Sequence, residues 1–170
     1  MRGPVQLTKP RESTNPRDRG RLVRPATAAD EAPWRKLWDG YCRFYGAVVP
    51  EAATAATWRR ILDEQSPIHG LLVLSDGRVS GFCVYVLHGA TWSPAPRCYL
   101  EDLFVAPAAR GRGLGDALIR HVLDLAAAQG WYDVYWHTEA KNTVARRLYD
   151  RHAGAADGFV RYRINTANPG

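Results

Sequence analysis

The chain has little of what several classes of protein require. Its 170 residues include only three cysteines, and no apolar run approaches the roughly 20 residues that a membrane-spanning helix needs. The hydrophobic share of 46% and the charged share of 24% exclude collagen-like and broadly disordered classes. We therefore expect a soluble globular protein of about one domain's length, with no membrane partner.

The few cysteines and histidines show no pattern of metal ligands. Cys42, Cys83 and Cys98 lack the short spacing of a metal site, and the five histidines lack it as well. Cys83 and Cys98 lie in apolar, strand-like stretches, so we expect them to be buried free thiols. Free thiols indicate a reduced compartment. Since the N-terminus also lacks an apolar signal segment, we expect a cytoplasmic protein without a bound metal.

The net positive charge is concentrated at the N-terminus. Residues 1–20 hold five basic and two acidic side chains, so they carry half of the formal net charge of +6. Prolines and glycines lie among these charges, which predicts a disordered basic tail at 1–20. Residues 165–170 are interpreted as a short C-terminal tail. A strongly basic body would indicate a nucleic-acid binder, and the mild excess here predicts no nucleic-acid partner.

The order of predicted elements indicates a mixed α/β sheet. Helical spacing of apolar residues predicts four helices, at about 30–45, 53–64, 114–129 and 142–152. Apolar runs and alternation predict six strands, at about 22–25, 71–74, 79–87, 98–105, 132–138 and 159–164. Asp30 suits the N-cap of the first helix, and Pro94 and Pro96 predict a loop before the fourth strand. We expect a right-handed crossover between the strands ending at Val105 and beginning at Tyr132.

A glycine-rich turn lies directly between a predicted strand and a predicted helix. Its residues are Arg110, Gly111, Arg112, Gly113, Leu114 and Gly115. Backbone amides that curl inward before a helix N-terminus form an anion site suited to a phosphate or pyrophosphate. No lysine follows a glycine, which excludes a P-loop, and the spacing fails the GxGxxG and GxGxxA dinucleotide patterns. The plain structural alternative is a tight turn that binds nothing.

The turn, with the strand before it, resembles the acetyl-CoA-binding motif of the GNAT family of N-acetyltransferases. The matching residues are Arg110-x-x-Gly113-x-Gly115, preceded by Leu103-Phe104-Val105-x-Pro107, and the resemblance covers about 21–164. It implies the GNAT fold, an α/β fold with a single mixed, mostly antiparallel sheet flanked by helices and splayed central parallel strands. It also implies acetyl-CoA as the acyl donor and a homodimer. The implied pyrophosphate amides are those of Arg110, Gly111, Arg112, Gly113, Leu114 and Gly115, and the main chain implied for the pantetheine is that of Leu103, Phe104 and Val105.

Asn142 and Tyr149 strengthen the resemblance, because the segment between them is similar to the last helix of that family. The resemblance implies that Asn142 contacts the cofactor and that Tyr149 faces the thioester sulfur and protonates the leaving thiolate. Tyr149 follows Asn142 by seven residues, about two turns, so both project to one side of the helix. The alternatives are a plain N-cap for Asn142 and packing against the sheet for Tyr149.

An acidic pair, Glu101 and Asp102, lies inside an apolar strand. The segments 24–30 and 99–105 resemble those of diamine and polyamine acetyltransferases and related bacterial enzymes, in which such a pair faces the amine. We therefore interpret Glu101 as the general base and as a substrate-binding residue, and Asp102 as substrate-binding. Neighbouring residues of a regular strand point to opposite faces, so only one of them reaches the gap unless the strand bulges. A structural ion pair is the alternative role for each.

These residues predict acetyl transfer from acetyl-CoA to a primary amine, directly in a ternary complex. A small amine, an amino acid, a polyamine and a protein lysine all remain open as acceptors. Since the end of the first helix, Phe44-Tyr45, has no carboxylate, polyamines are disfavoured. Trp38, Tyr41 and Tyr45 form either an amine pocket or, by preference, core. The rival classes are a non-catalytic CoA-binding regulatory module and a nucleic-acid binder that uses the basic tail.

Overall fold

The computed structural model describes residues 20–166 and contains two compact units, divided between His137 and Thr138. The predicted tails, apart from Gly20 and residues 165–166, lie outside the described residues. In the first unit the elements are β1 (Arg21–Pro25), α1 (Glu31–Tyr45), α2 (Glu51–Leu62), β2 (Ile68–Ser75), β3 (Arg78–Ala90), β4 (Ser93–Val105), α3 (Leu114–Gln129) and β5 (Val134–Trp136). The second unit holds α4 (Thr143–Ala153).

The described part of the first unit forms one five-stranded sheet in the order β1-β2-β3-β4-β5. Three pairs of neighbouring strands are antiparallel, and β4 and β5 are parallel with α3 in the connection between them. The mixed, mostly antiparallel sheet expected from the sequence is therefore confirmed, and so is the parallel crossover between β4 and β5.

Three of the predicted strands differ from the observed ones. β4 begins at Ser93 and so includes Pro94 and Pro96, because a strand tolerates proline where its N–H is not needed by the ladder. β5 has three residues, fewer than predicted. The strand expected at 159–164 is wrong: residues 155–166 carry no regular structure, and their apolar side chains, such as Ile164, are exposed. Alternation forms a strand only where a neighbouring strand supplies hydrogen bonds.

Each face of the sheet has its own packed layer. On one face, the Trp34 ring of α1 stacks on two other tryptophan rings. Its centroid lies 5.4 Å from that of Trp38, in the same helix, and 4.8 Å from that of Trp58 in α2. Phe82 of β3 belongs to the same core cluster. Side chains alternate along β3, so Cys83 and Tyr85 point to the opposite face. α3 contacts the sheet, and its Leu118, Ile119 and Val122 are fully buried.

Two irregularities shape the middle of the sheet. Val84 of β3 pairs with Asp102, whereas the next residue, Tyr85, pairs with Leu100, so Glu101 is the extra residue of a β-bulge. β4 pairs with β5 only from Cys98 to Leu100. β5 ends at Trp136, the partner of Leu100, so the second half of β4 has no β5 partner within the described strands. The splayed form of the parallel strands stays a prediction.

Candidate active site

The β-bulge decides which way the acidic pair points. Tyr99 pairs with Val86 and Asp102 pairs with Val84, and these two valines lie on one face of β3. Tyr99 and Asp102 therefore share the face that α1 and α2 cover, although a regular strand would place them on opposite faces. Glu101 lies in the bulge and is exposed. The strand thus bulges at the position where a regular strand would have separated the two carboxylates.

Asp102 is a half-buried carboxylate beside an aromatic helix face. The Tyr41 hydroxyl of α1 donates a hydrogen bond to it. Burial raises the pKa of Asp102 to about 6, the charge of Glu101 acts in the same direction, and the hydrogen bond from Tyr41 opposes them. Burial also raises the pKa of Tyr41, so the phenol stays protonated. The site therefore holds a carboxylate that changes charge near neutral pH.

Glycine at position 40 explains how α1 approaches β4 so closely. A Cβ at Gly40 would lie 3.0 Å from Cζ of Phe104, so a larger residue would push the helix outwards. The rings of Tyr41 and Phe104 are 6.3 Å apart in an edge-on arrangement. The small residue thus brings the next residue, Tyr41, within reach of Asp102.

The three aromatic residues predicted on one side of α1, Trp38, Tyr41 and Tyr45, lie in different environments. Trp38 belongs to the core, as preferred, and its Nε1 donates to Thr54 Oγ1 at 3.1 Å. Tyr45 is exposed, with its ring 5.0 Å from that of Tyr41. Sequence reasoning did not identify Tyr41 as a partner of Asp102. Its only sequence signal was its place in a helical stripe.

The glycine-rich turn has the geometry of an anion-binding site. Gly111 and Gly113 have φ angles of +76° and +74°, a backbone conformation that favours glycine. α3 follows at once, and its first backbone bond runs from Ala117 N to Gly113 O. The amides of its first turn, from Leu114 to Asp116, have no intrahelical carbonyl to donate to. These amides and the helix dipole suit a phosphate group.

Three arginines lie in or against this turn. Arg110 Nε donates to Val105 O at 3.1 Å, and its guanidinium lies 5.5 Å from the Phe104 ring centroid. Arg112 Nη2 lies 2.6 Å from Asp76 Oδ2, and this bond is the main cause of the lowered pKa of Asp76. Arg21 Nη1 would lie 2.9 Å from a Cβ on Gly113. Sequence reasoning missed Arg21, because β1 brings it to the turn from a distant part of the chain.

The second unit holds the other two predicted residues. Asn142 caps α4, since its Oδ1 accepts a hydrogen bond from Ala145 N at 3.2 Å. The N-cap interpretation is confirmed, and the role of Asn142 towards the cofactor stays a prediction. Tyr149 is half-buried two turns along the same helix.

The cysteines are placed as expected. Cys83 and Cys98 are fully buried, and all three cysteines, which lie in the described part of the chain, are free. Burial raises the pKa of Cys98 to about 12, so this thiol is not an activated nucleophile. Within residues 20–166 there is no cluster of three or more possible metal ligands. Over the same residues, no helix has the length and apolar character needed to cross a membrane.

The mixed sheet and the glycine turn before α3 suit an acyl-transfer fold, and comparison with known proteins gives the family. The acetyltransferase (GNAT) family model matches residues 34–155. The D-amino-acid N-acetyltransferase HPA3 of Saccharomyces cerevisiae is 32% identical over 146 residues, which cover 85% of this chain and 90% of that protein. The chain therefore belongs to the acetyltransferase (GNAT) family and is an N-acetyltransferase, an acyltransferase enzyme.

Solved structures share the fold. A probable acetyltransferase superimposes with a TM-score of 0.77 at 23% identity, covering 86% of this chain and 98% of that one. AAC(6′)-Iy, solved with the bisubstrate analogue CoA-S-monomethyl-acetylneamine, superimposes with a TM-score of 0.72 at 20% identity. That match covers 85% of this chain and 97% of the other. The GNAT fold expected from the sequence is confirmed.

Proposed function

We propose that the enzyme transfers an acetyl group from acetyl-CoA to the primary amine of a small molecule, in one direct step. The observation that carries this proposal is the bulge at Glu101, which turns Asp102 to the face of Tyr99 and so supports an amine site beside the part of β4 that has no β5 partner. The glycine turn follows the same strand. In this proposal the amine binds beside β4, and the diphosphate of the acyl donor binds at the turn that follows β4.

The donor site rests on main-chain groups. The amides of Arg110, Gly111, Arg112, Gly113, Leu114 and Gly115 hold the pyrophosphate, and the positive φ angles of Gly111 and Gly113 support this fit. β4 beyond Leu100 has no β5 partner, so main-chain groups from Leu103 to Val105 are placed to pair with the pantetheine. Asn142 adds a side-chain contact. Acetyl-CoA supplies the activated acetyl thioester.

The acidic pair receives the amine. Alkylamines are mostly protonated near neutral pH and must lose a proton before they attack. Asp102 binds the ammonium group, and Glu101 accepts the proton directly or through water. An N–C bond forms while the C–S bond breaks, and a main-chain N–H near Phe104 or Val105 polarises the carbonyl. Tyr149 gives its proton to the leaving thiolate. The nitrogen loses its second proton as the amide forms, and this proton restores the Tyr149 phenol through water.

The acceptor is a small amine of amino-acid size. The similar yeast protein is a D-amino-acid N-acetyltransferase. Asp102 supplies one half-buried carboxylate for one ammonium, whereas a polyamine needs further acids, and α1 ends in Phe44 and Tyr45. We further propose a cytoplasmic homodimer, which acts on neither nucleic acid nor membrane. The three free thiols support the reduced compartment.

The test is CoA release with purified protein against D- and L-amino acids, polyamines, aminoglycosides and lysine peptides. We expect release with amino-acid-sized amines. Release with lysine peptides alone would assign a protein acetyltransferase instead. No release with any amine, together with no heat of acetyl-CoA binding by calorimetry, would reject the proposal.

Tyr149→Phe tests the proton donor. We expect kcat to fall about 10²-fold or more, because general acid catalysis contributes that much, while the Kd for acetyl-CoA stays unchanged. Tyr162→Phe is the matched control, because Tyr162 is an exposed tyrosine of the same unit. Equal kcat values for the two variants would remove Tyr149 from the mechanism.

A further inference from the structure

Two tyrosines and two histidines form a patch on the sheet face that carries Asp102. The patch consists of His88, Tyr99, Tyr135 and His137. Tyr99 pairs with Tyr135 across β4 and β5, and His137 follows two residues later on the same side. His88 lies two residues beyond the β3 partner of Tyr99 and therefore shares the face. The bulge brings Asp102 onto this face as well.

The hydroxyl groups of both tyrosines are hydrogen-bonded to the two histidines, which fixes the tyrosine rings. His88 Nδ1 lies 2.9 Å from Gly89 O, and because a carbonyl only accepts, this nitrogen carries the proton. In the neutral ring Nε2 then accepts from the Tyr135 hydroxyl at 3.0 Å. The Tyr99 hydroxyl lies 3.3 Å from His137 Nδ1. The patch is therefore ordered before any ligand binds, which lowers the entropic cost of binding.

The patch offers aromatic surface rather than charge. The ring centroids of Tyr99 and Tyr135 are 5.0 Å apart at an interplanar angle of 31°. The guanidinium of Arg97 lies 4.8 Å from the Tyr135 centroid, and Asp133 holds it through two bonds of 2.8 and 2.6 Å. Asp133 is thus already paired with Arg97, which leaves Asp102 as the carboxylate of this face that can receive an ammonium group. Tyr99 and Tyr135 are half-buried, and both histidines are exposed.

Resting on the proposed function, we propose that this patch binds the non-reacting part of the acceptor, and that this part is an aromatic or bulky apolar group. With the bulge residue between them, Asp102 lies about 7 Å along the strand from Tyr99, two residue steps of roughly 3.4 Å. That is close to the span from the amine to the ring of a phenylalanine-like molecule. A ring on the patch makes offset or edge-on contacts with Tyr99 and Tyr135.

The first test compares acceptors in the full-length enzyme. We expect 2-phenylethylamine and phenylalanine to be acetylated with at least tenfold higher kcat/KM than n-propylamine and alanine, and spermidine to gain nothing from its extra charges. In Tyr135→Ala this preference shrinks by about tenfold through the acceptor KM, while the KM for acetyl-CoA is unchanged. Trp92→Ala is the control, because it removes another exposed aromatic side chain, in the β3–β4 turn.

Two milder variants guard against loss of folding. Tyr135→Phe keeps the ring and removes the hydroxyl that bonds to His88, and His88→Gln replaces the imidazole ring with a flexible amide of similar size. For both we expect a two- to fivefold rise in the KM for aromatic acceptors only. An acceptor preference that is the same in wild type, Tyr135→Ala and His88→Gln would overturn the inference while leaving the acetyltransferase proposal intact.

A binding measurement separates the two proposals. With CoA present, 2-phenylethylamine should shift the imidazole proton resonances of His88 and His137, assigned through His→Gln variants, and n-propylamine should shift them much less. Equal shifts with both amines would overturn the inference whatever the turnover. Selective shifts without CoA release from any amine would support the patch and reject the transfer chemistry.

Discussion

Two carboxylates beside α1, those of Asp30 and Asp102, have pKa values shifted in opposite directions. Asp30 lies at the start of the helix, is buried, and receives two bonds of 2.7 Å from the Arg24 guanidinium and one of 2.8 Å from Thr27 N. The bond from Arg24 is the main cause that lowers the pKa of Asp30 to about 2. Among residues 20–166 Asp102 has a phenol as its hydrogen-bond donor and no paired guanidinium, and burial raises its pKa to about 6.

The two pKa shifts have opposite consequences for stability. The folded pKa of Asp30 lies below its unfolded value, so its contribution is complete above pH 4 and is lost as the pH falls towards 2. The folded pKa of Asp102 lies above its unfolded value, so the folded state loses stability as the pH rises from about 4 to 6. A carboxylate that costs stability at neutral pH is typical of a functional site.

Asp102→Asn tests the contrast with Asp30 directly. If Asp102 binds the ammonium, removing the charge costs a charged hydrogen bond, about 10- to 100-fold in the acceptor KM. In the wild type the acceptor KM rises below about pH 6 as Asp102 becomes protonated, and this dependence disappears in the variant. Steady-state kinetics from pH 5 to 9 measure both.

Glu101→Gln, at the neighbouring carboxylate, is the variant with which the kinetics of Asp102→Asn are compared. It should lower kcat about 10²-fold or more, as expected for loss of a general base, and leave the KM dependence near pH 6 in place. Asp102→Asn should also unfold no more easily than the wild type at pH 7. A less stable variant with unchanged kinetics would make Asp102 a structural residue and end the contrast with Asp30.

The next largest effect is on stability, from Asp30→Asn. The lowered pKa corresponds to about 2 kcal/mol at pH 7, so the free energy of unfolding falls by about that amount. The difference between variant and wild type shrinks as the pH falls from 4 towards 2. Urea unfolding at several pH values measures it, with Asp39→Asn, an exposed residue of the same helix, as control. Turnover of the folded fraction should not change; if it does, Asp30 also acts on the site.

The elements that local patterns control were predictable. α3 was expected at 114–129 and runs from Leu114 to Gln129, because its apolar period is regular and Gly130, with a φ of +66°, ends it. α1 ends in the same way, before Gly46. The glycine turn was also predictable from the sequence, because its residues are consecutive and because Gly111 and Gly113 adopt positive φ angles that local backbone geometry requires.

Features that depend on distant pairing were not predictable. The bulge at Glu101 arises from the register between β3 and β4, which no single segment specifies. Tyr41 and Asp102 are far apart in the chain, and so are Arg21 and Gly113; both pairs meet only through the packing of α1 and β1. The strand expected at 159–164 failed for the same reason, because alternation is local and pairing is not.

The smallest expected effect comes from Tyr41→Phe. The hydroxyl of Tyr41 opposes the burial of Asp102, so its removal raises the pKa of Asp102 further. The rise in acceptor KM on the acid side should therefore begin at a higher pH than in the wild type, with kinetics at pH 9 close to wild type. Stability should change by less than about 1 kcal/mol, the usual net worth of one hydrogen bond.

The double variant Tyr41→Phe/Asp102→Asn separates this effect from a general loosening of α1. Because the hydroxyl acts through the carboxylate, the double variant should match Asp102→Asn within error, and the two substitutions should not add. Additive losses, or a shift of the Tyr41→Phe profile to lower pH, would show that Tyr41 supports the helix rather than the charge on Asp102. The contrast with Asp30, whose pKa is set by its bond to Arg24, would then rest on burial alone.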